Sequence, residues 1–182
     1  MLQLKNHLSA VPDHRRPQGR LYELGALLLF SILAALSGAN SYRKIALFIH
    51  AHRLRLNALC GLAWRRAPAH NSIRYALQGL DEQDLECAFR THAAQRHEAS
   101  EAGPSIAIDG KTLRGSFDHF EDRKAAQVLS ALATGSTLVL GHLFLHDGDK
   151  DHEIAAAQRL IEELGLTGQL FTLDALHAQK NP

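Results

Sequence analysis

Two aspartates follow short apolar segments typical of β-strands, and their type and placement could support chemistry. Asp109 stands in SIAIDGKTLRGS and Asp174 in QLFTLDALHAQ. A carboxylate at the C-terminal end of a buried strand lies in the crevice where α/β sheets bind ligands. Two such groups repel each other unless a cation lies between them, and Mg²⁺ prefers carboxylate oxygens. The pair predicts a metal site for phosphoryl transfer, whereas either aspartate alone would fit a turn cap.

Other phosphate-binding and metal-binding motifs are incomplete in this chain. Gly110 to Thr112 matches the end of a Walker-type phosphate loop, but that loop requires a glycine where Ser105 stands. The acids of DGDKDHEI imitate the start of an EF-hand, but His152 occupies the position that needs glycine. These differences argue against a nucleoside triphosphatase and against a calcium loop.

The first half of the chain has the composition of helices. Leu and Ala dominate, β-branched residues are sparse, and helix-breaking residues fall between the apolar runs. Ser41 and Asp81 carry the short polar side chains that cap helix N-termini. The predicted helices cover residues 22–36, 41–54, 72–79 and 81–97.

The pattern changes to short apolar segments after a polar linker. These segments predict strands at 106–108, 128–133, 136–145 and 169–173, with an amphipathic helix at 151–164. Gly135 and Ser136 predict a tight hairpin between the second and third strands. The fold class is therefore α+β or α/β, with three parts: a helical domain at 1–97, a linker at 98–105 and a β-β-β-α-β domain at 106–182.

The positive and negative charges lie in different halves of the chain. Residues 1–80 hold eleven Lys and Arg against two acids, a net charge of +9, whereas residues 81–182 hold nine against seventeen, a net charge of −8. An Arg-rich segment joined to an acidic one indicates a polyanion-binding module, with nucleic acid as its commonest partner. A solvated basic surface explains the same charge equally well.

Two further features bear on location. The longest apolar stretch, residues 24–36, has thirteen residues, whereas a membrane span needs about 20, so we expect a buried helix and no membrane contact. The N-terminus lacks the apolar run of a secretory signal, which predicts a cytoplasmic protein. Cys60 and Cys87 fit neither a disulfide framework nor a CxxC motif, and we expect both to be reduced and buried.

Several motifs, taken in order, resemble one known family over nearly the whole chain. They are PDHRRPQGRLYELGALLLFSILAALSGANSY, IDGKTLRGS, LVLGHLFLHDGDKDHEI and TLDALHAQK. The chain resembles the ISAs1-type insertion-sequence transposases, also called H-repeat-associated proteins, which belong to the DDE superfamily. The first motif is similar to the family's helical associated domain, and the others to its RNase H-like catalytic core.

The resemblance implies a role for particular residues. Asp109 and Asp174 would be the first and second catalytic aspartates and would hold Mg²⁺ or Mn²⁺. Lys111 and Arg114 would contact phosphates, although ordinary surface salt bridges would explain them too. The helical domain would bind double-stranded DNA at the transposon ends through a set of basic residues: Arg15, Arg16, Arg20, Arg43, Lys44, Arg53 and Arg55.

The resemblance also sets an expectation about completeness. The family's core continues further and supplies a catalytic glutamate on a later helix, whereas this chain stops at Pro182. We therefore expect a truncated, catalytically incomplete protein derived from a transposase. Two alternatives stay open: a non-catalytic DNA-binding regulator of transposition, and a pseudogene fragment without function. Leu170, Phe171 and Leu173 would line an exposed strand edge, which predicts self-association.

Overall fold

The computed structural model describes residues 2–98, 105–112, 127–145 and 153–173. By its internal contacts the chain divides into two compact units, Met1–His92 and Ala93–Pro182. The first unit is helical and the second contains the sheet. This is the α+β arrangement with an N-terminal helical part that the sequence predicts.

The described chain up to residue 98 contains the four predicted helices and one that the sequence did not indicate; the last of them, α5, extends past the boundary at His92. The extra helix is α1, and only Leu8 of its seven residues is buried, so its apolar pattern is weak. A single 3-10 turn, Pro17–Gly19, follows it. The helices are α1 (Leu2–Leu8), α2 (Leu24–Leu36), α3 (Tyr42–Cys60), α4 (His70–Gln78) and α5 (Glu82–Glu98).

The apolar helix α2 lies in the core of the helical unit, as predicted. Leu27, Phe30 and Ala34 are fully buried, and leucines and aromatic residues of the neighbouring segments surround them. Because nearly the whole circumference of α2 is apolar, it needs cover on several sides. Within the described part of the chain, no helix has the length and apolarity required to cross a membrane.

Local capping determines where the helices begin and end. The Ser41 side chain accepts a hydrogen bond from the Lys44 backbone N–H, and the Asp81 carboxylate caps α5 in the same way. Helix α3 extends to Cys60, beyond the predicted end at residue 54. The first residue able to stop it is Gly61, whose φ of 64° is the left-handed conformation that favours glycine.

The second unit has the predicted β-β-β-α-β order. Its strand order is β3-β2-β1-β4, and β1 pairs antiparallel with β2 but parallel with β4. Helix α6 lies between β3 and β4 in the chain. A connection of this length lets β4 run parallel to β1, because a tight turn can join only antiparallel strands. The elements are β1 (Ser105–Thr112), β2 (Gln127–Ala133), β3 (Leu138–Leu145), α6 (Glu153–Leu164) and β4 (Leu170–Leu173).

One face of the sheet packs against α6. Ala157 and Leu160 of the helix are buried in one cluster with Ile106 of β1, Leu129 of β2 and Leu140 of β3. Side chains alternate between the faces of a strand, so the residues between these positions lie on the other face. That opposite face carries the first predicted catalytic residue.

The predicted hairpin between β2 and β3 is confirmed, with a four-residue turn at 134–137 in which Thr137 has a left-handed φ of 53°. One local prediction is wrong. Cys60 is buried as expected, but Cys87 is exposed, because it lies on the outer face of α5. Both cysteines are free thiols.

Candidate functional site

Asp109 lies within β1 and not after its end, which corrects the predicted placement. The strand continues to Thr112 because the residues from Asp109 onward still pair with β2. Ile106 and Ile108 are buried on the face that meets α6, so Asp109 belongs to the opposite face. Its side chain is 63% exposed, and one oxygen lies 3.4 Å from the Lys111 ammonium on the same face. The carboxylate is accessible to solvent and carries one cationic neighbour.

A row of polar residues crosses this face of the sheet at the level of Asp109. Asp109 lies opposite Ser130 of β2, and Ser130 lies opposite His142 of β3. Directly opposed residues of an antiparallel pair point to the same face. Sequence analysis missed this row, although Ser130 interrupts an otherwise apolar strand and was a detectable signal.

Strand β4 lies alongside β1 on its other side. The parallel register sets Ile106 opposite Phe171 and Ile108 opposite Leu173. The Thr172 hydroxyl donates to the Ile106 carbonyl at 3.4 Å, which adds a side-chain link between the two strands. Asp174 follows Leu173 in the sequence but lies outside the described residues, as does Arg114.

Metal ligands from other parts of the described chain do not supplement this site. Across residues 2–98, 105–112, 127–145 and 153–173, no group of three or more His, Cys, Asp or Glu side chains could hold a metal ion.

The basic residues predicted to bind DNA fall into two sets in the helical unit. One set is exposed: Arg16, Arg43, Lys44 and Arg55. Arg43, Lys44 and Arg55 all belong to α3, and the segment from Leu24 to Leu80 contains seven Lys and Arg and no acid. This stretch therefore presents positive charge without internal neutralisation.

The other set, Arg15, Arg20 and Arg53, is engaged within the protein. The Arg15 side chain is 3% exposed and pairs with Asp13, and the Arg20 guanidinium donates to the backbone carbonyls of Asp13 and Arg15. Arg53 donates to the carbonyls of Trp64 and Arg65 at 2.8 and 2.6 Å. These arginines stabilise turns of the helical unit.

The partly buried carboxylate of Asp13, beside Arg15, has a shifted pKa. Side-chain hydrogen bonds from Arg15 hold the pKa of Asp13 below its usual value, against a smaller opposing effect of burial. Asp13 is therefore ionised in the folded protein at neutral pH, and its partner Arg15 also donates to the Tyr22 carbonyl.

Three exposed arginines were not singled out from the sequence. Arg65 and Arg66 lie in the loop between α3 and α4, and Arg74 lies on the outer face of α4. They belong to the same acid-free segment as Arg43 and Arg55. That absence of acids was the signal that could have identified them.

The chain is similar to several known proteins. Residues 5–93 match the DDE_Tnp_1-associated family. The H repeat-associated putative transposase YhhI of Escherichia coli K12 is 32% identical over 178 residues, which cover 98% of this chain and 46% of that protein. The putative transposase YncI of the same strain is 32% identical over 179 residues, covering 98% of this chain and 70% of that protein.

A third relative extends the comparison. The H repeat-associated putative transposase YbfD of Escherichia coli K12 is 30% identical over 178 residues, 98% of this chain and 69% of that protein. The chain thus spans about half the length of YhhI and more than two thirds of the length of YncI and YbfD. No solved structure shows significant similarity to the chain.

Proposed function

Because the chain belongs to the H repeat-associated transposase family, we propose that it takes part in DNA transposition of an ISAs1-type insertion sequence. In this proposal the helical unit binds double-stranded DNA at the transposon ends. The sheet unit is an RNase H-like catalytic core, and Asp109 and Asp174 are its first two catalytic carboxylates.

The observation that carries the proposal is the parallel pairing of β1 with β4. Ile108 of β1 lies opposite Leu173 of β4, and in the sequence each of these residues is followed by an aspartate, Asp109 and Asp174. Consecutive Cα atoms are about 3.8 Å apart, and neighbouring strands lie about 4.8 Å apart. These spacings support the proposal that Asp174 lies within reach of Asp109, although the two are far apart in sequence.

The donor chemistry of the two aspartates fits a hard divalent cation. Asp109 is exposed and has room to bind a cation, and an aspartate beside it would add the oxygen ligands that Mg²⁺ and Mn²⁺ prefer. A bound cation would supply Lewis-acid activation for displacement at phosphorus. Lys111, 3.4 Å from the Asp109 carboxylate, is placed to contact a DNA phosphate, and Arg114 follows it in the sequence.

DNA binding is assigned to the exposed basic residues of the helical unit. Arg16, Arg43, Lys44 and Arg55 would contact phosphates. Arg15, Arg20 and Arg53 would hold the surrounding backbone, because their guanidinium groups already donate to acceptors of the protein. The exposed edge at β4 would mediate self-association, since Leu170 there is 63% exposed.

Calorimetric titration of the chain with Mn²⁺ tests the metal site. We expect binding in the unaltered chain and its loss in both Asp109→Asn and Asp174→Asn. Glu162→Gln is the matched control, because it removes one exposed carboxylate on α6. Equal Mn²⁺ affinity in all four proteins would contradict the proposed site.

A salt titration of duplex DNA binding tests the helical unit. Each phosphate contact contributes about 0.9 to the slope of log affinity against log salt. We expect Arg43→Ala and Arg55→Ala to lower the slope, and Arg159→Ala, an equal charge change on α6, to leave it unchanged. Absence of binding at low salt would contradict the proposal. DNA binding without Mn²⁺ binding would instead favour a non-catalytic regulator of transposition.

A further inference from the structure

Helix α4 has an exposed polar face opposite the face that packs against the core. Ile73 and Ala76 are fully buried against the core, whereas Asn71, Arg74 and Gln78 are exposed. The three exposed residues have the spacing i, i+3 and i+7, which aligns them along one side of a helix. Their side chains are the ones that make paired hydrogen bonds to base edges in DNA.

The loop before α4 is held firmly by side chains of the helical unit. The Trp64 carbonyl accepts hydrogen bonds from Arg53 at 2.8 Å and from Asn57 at 3.0 Å. The Tyr22 hydroxyl donates to the Ala67 carbonyl at 3.3 Å. Trp64 itself packs edge-on against the ring of Tyr22. The segment between these anchor points is therefore constrained, and it carries two exposed arginines, Arg65 and Arg66.

The C-terminal end of α4 is also anchored. A ring nitrogen of His14 hydrogen-bonds to the Tyr75 carbonyl at 3.3 Å, and the two rings are in contact. Gly79 follows the helix, and a Cβ there would overlap the His14 imidazole. Both ends of α4 are thus fixed to the helical unit. A helix that recognises DNA sequence needs this rigidity.

The polar side chains of α4 are partly preorganised. The Arg74 guanidinium donates to the Gln78 side-chain oxygen at 3.0 Å, so the two side chains share one orientation on the helix. From Asn71 to Gln78 the helix rises about 10 Å, which corresponds to roughly three base-pair steps of duplex DNA.

We infer that α4 enters the major groove of duplex DNA and reads base edges through Asn71, Arg74 and Gln78, with Arg65 and Arg66 on the flanking phosphates. The groove admits an α-helix, and Asn and Gln pair with adenine whereas Arg pairs with guanine. The segment from Leu24 to Leu80, which contains α4, has no carboxylate of its own to repel the phosphates, and the first acids after it, Asp81 and Glu82, lie at the start of α5. This inference rests on the DNA binding proposed above and identifies the element that recognises sequence.

Selection of the full chain on a pool of duplexes with a randomised core tests the inference. The unaltered chain should enrich a motif, and Asn71→Ala and Gln78→Ala should each lose the preference at separate positions of it. A lost base contact of this kind reduces discrimination roughly 5- to 150-fold. Affinity for a fixed, unselected duplex should not change. Asn6→Ala and Gln3→Ala, which remove the same side chains from the exposed face of α1, should enrich the original motif.

Substitution of the flanking arginines should affect DNA binding differently from substitution of Asn71 or Gln78. Arg65→Ala and Arg66→Ala should weaken binding to all duplexes alike and each lower the salt slope by about 0.9. Fluorescence of Trp64, the one tryptophan of the chain, reports whether each variant is folded.

The outcomes separate this inference from the proposed function. If the chain enriches a motif that the α4 variants retain, or binds duplexes without preference, α4 is not the reading element and DNA binding still stands. If the chain binds no duplex at low salt, both the recognition role of α4 and the proposed DNA binding are contradicted.

Discussion

The Arg15 guanidinium and the Asp13 carboxylate form two hydrogen bonds of 2.8 Å each, on a side chain that is 3% exposed. The same guanidinium also donates to the Tyr22 carbonyl at 2.8 Å. This pair ties the segment before α2 to the core, and Arg20 closes the turn by donating to two of its carbonyls. Two of the three arginines in this motif, Arg15 and Arg20, therefore make hydrogen bonds within the protein, whereas Arg16 is exposed.

Removal of the Arg15 guanidinium should destabilise the helical unit. Arg15→Ala removes the main partner of the partly buried Asp13 carboxylate and the donor to the Tyr22 carbonyl, which we expect to lower the unfolding free energy by about 2 kcal/mol. Urea denaturation followed by Trp64 fluorescence measures this loss. The adjacent Arg16→Ala should change it little, because Arg16 is exposed. Equal stability of the two variants would show that the buried pair is energetically neutral.

The same pair predicts how stability depends on pH. Hydrogen bonds from Arg15 hold the pKa of Asp13 below its usual value of 3.8, so the unfolded chain binds a proton more readily than the folded one. The contribution of Asp13 is complete above that value and is lost as the pH falls through the folded pKa. We therefore expect the urea midpoint of the unaltered chain to fall more steeply than that of Asp13→Asn as the pH is lowered from neutral to acidic values. Urea midpoints that change with pH in the same way in both proteins would contradict this prediction.

The two thiols should react at different rates. Cys60 is buried and burial raises its pKa, so it forms little thiolate, whereas Cys87 is exposed. A thiol-specific chromogenic disulfide should modify Cys87 rapidly and Cys60 only after unfolding. Cys87→Ser should remove the fast phase and Cys60→Ser the slow one. A single rate for both thiols in the folded protein would contradict the described burial.

Self-association should depend on β4. In the described sheet β4 pairs with β1 on one side only, and Leu170 and Leu173 are 63% and 39% exposed. Leu170→Lys places a charge at this edge and should lower the average mass measured by light scattering at high protein concentration. Leu54→Lys, on the exposed face of α3, is the control. A monomeric unaltered chain at every concentration would refute self-association.

Elements that depend on nearby residues could be predicted from the sequence. The caps at Ser41 and Asp81 act within one helical turn, and the apolar run of α2 identifies a buried helix without knowledge of its neighbours. The order β-β-β-α-β likewise follows from short apolar segments and one amphipathic helix. Sequence analysis missed α1, where the local signal was weak because only Leu8 of its seven residues is buried.

The features of the candidate sites also fall into those that the sequence determined and those that only the tertiary structure decided. Sequence alone determined that Asp109 and Asp174 follow apolar segments, that residues 1–80 carry a net charge of +9, and that the motifs resemble one transposase family. Tertiary structure decided that β4 pairs parallel with β1 and that Arg15 is buried on Asp13 whereas Arg65 and Arg74 are exposed. The physical reason is that charge and apolar periodicity are properties of neighbouring residues. Strand register and the burial of an arginine depend instead on packing against distant segments.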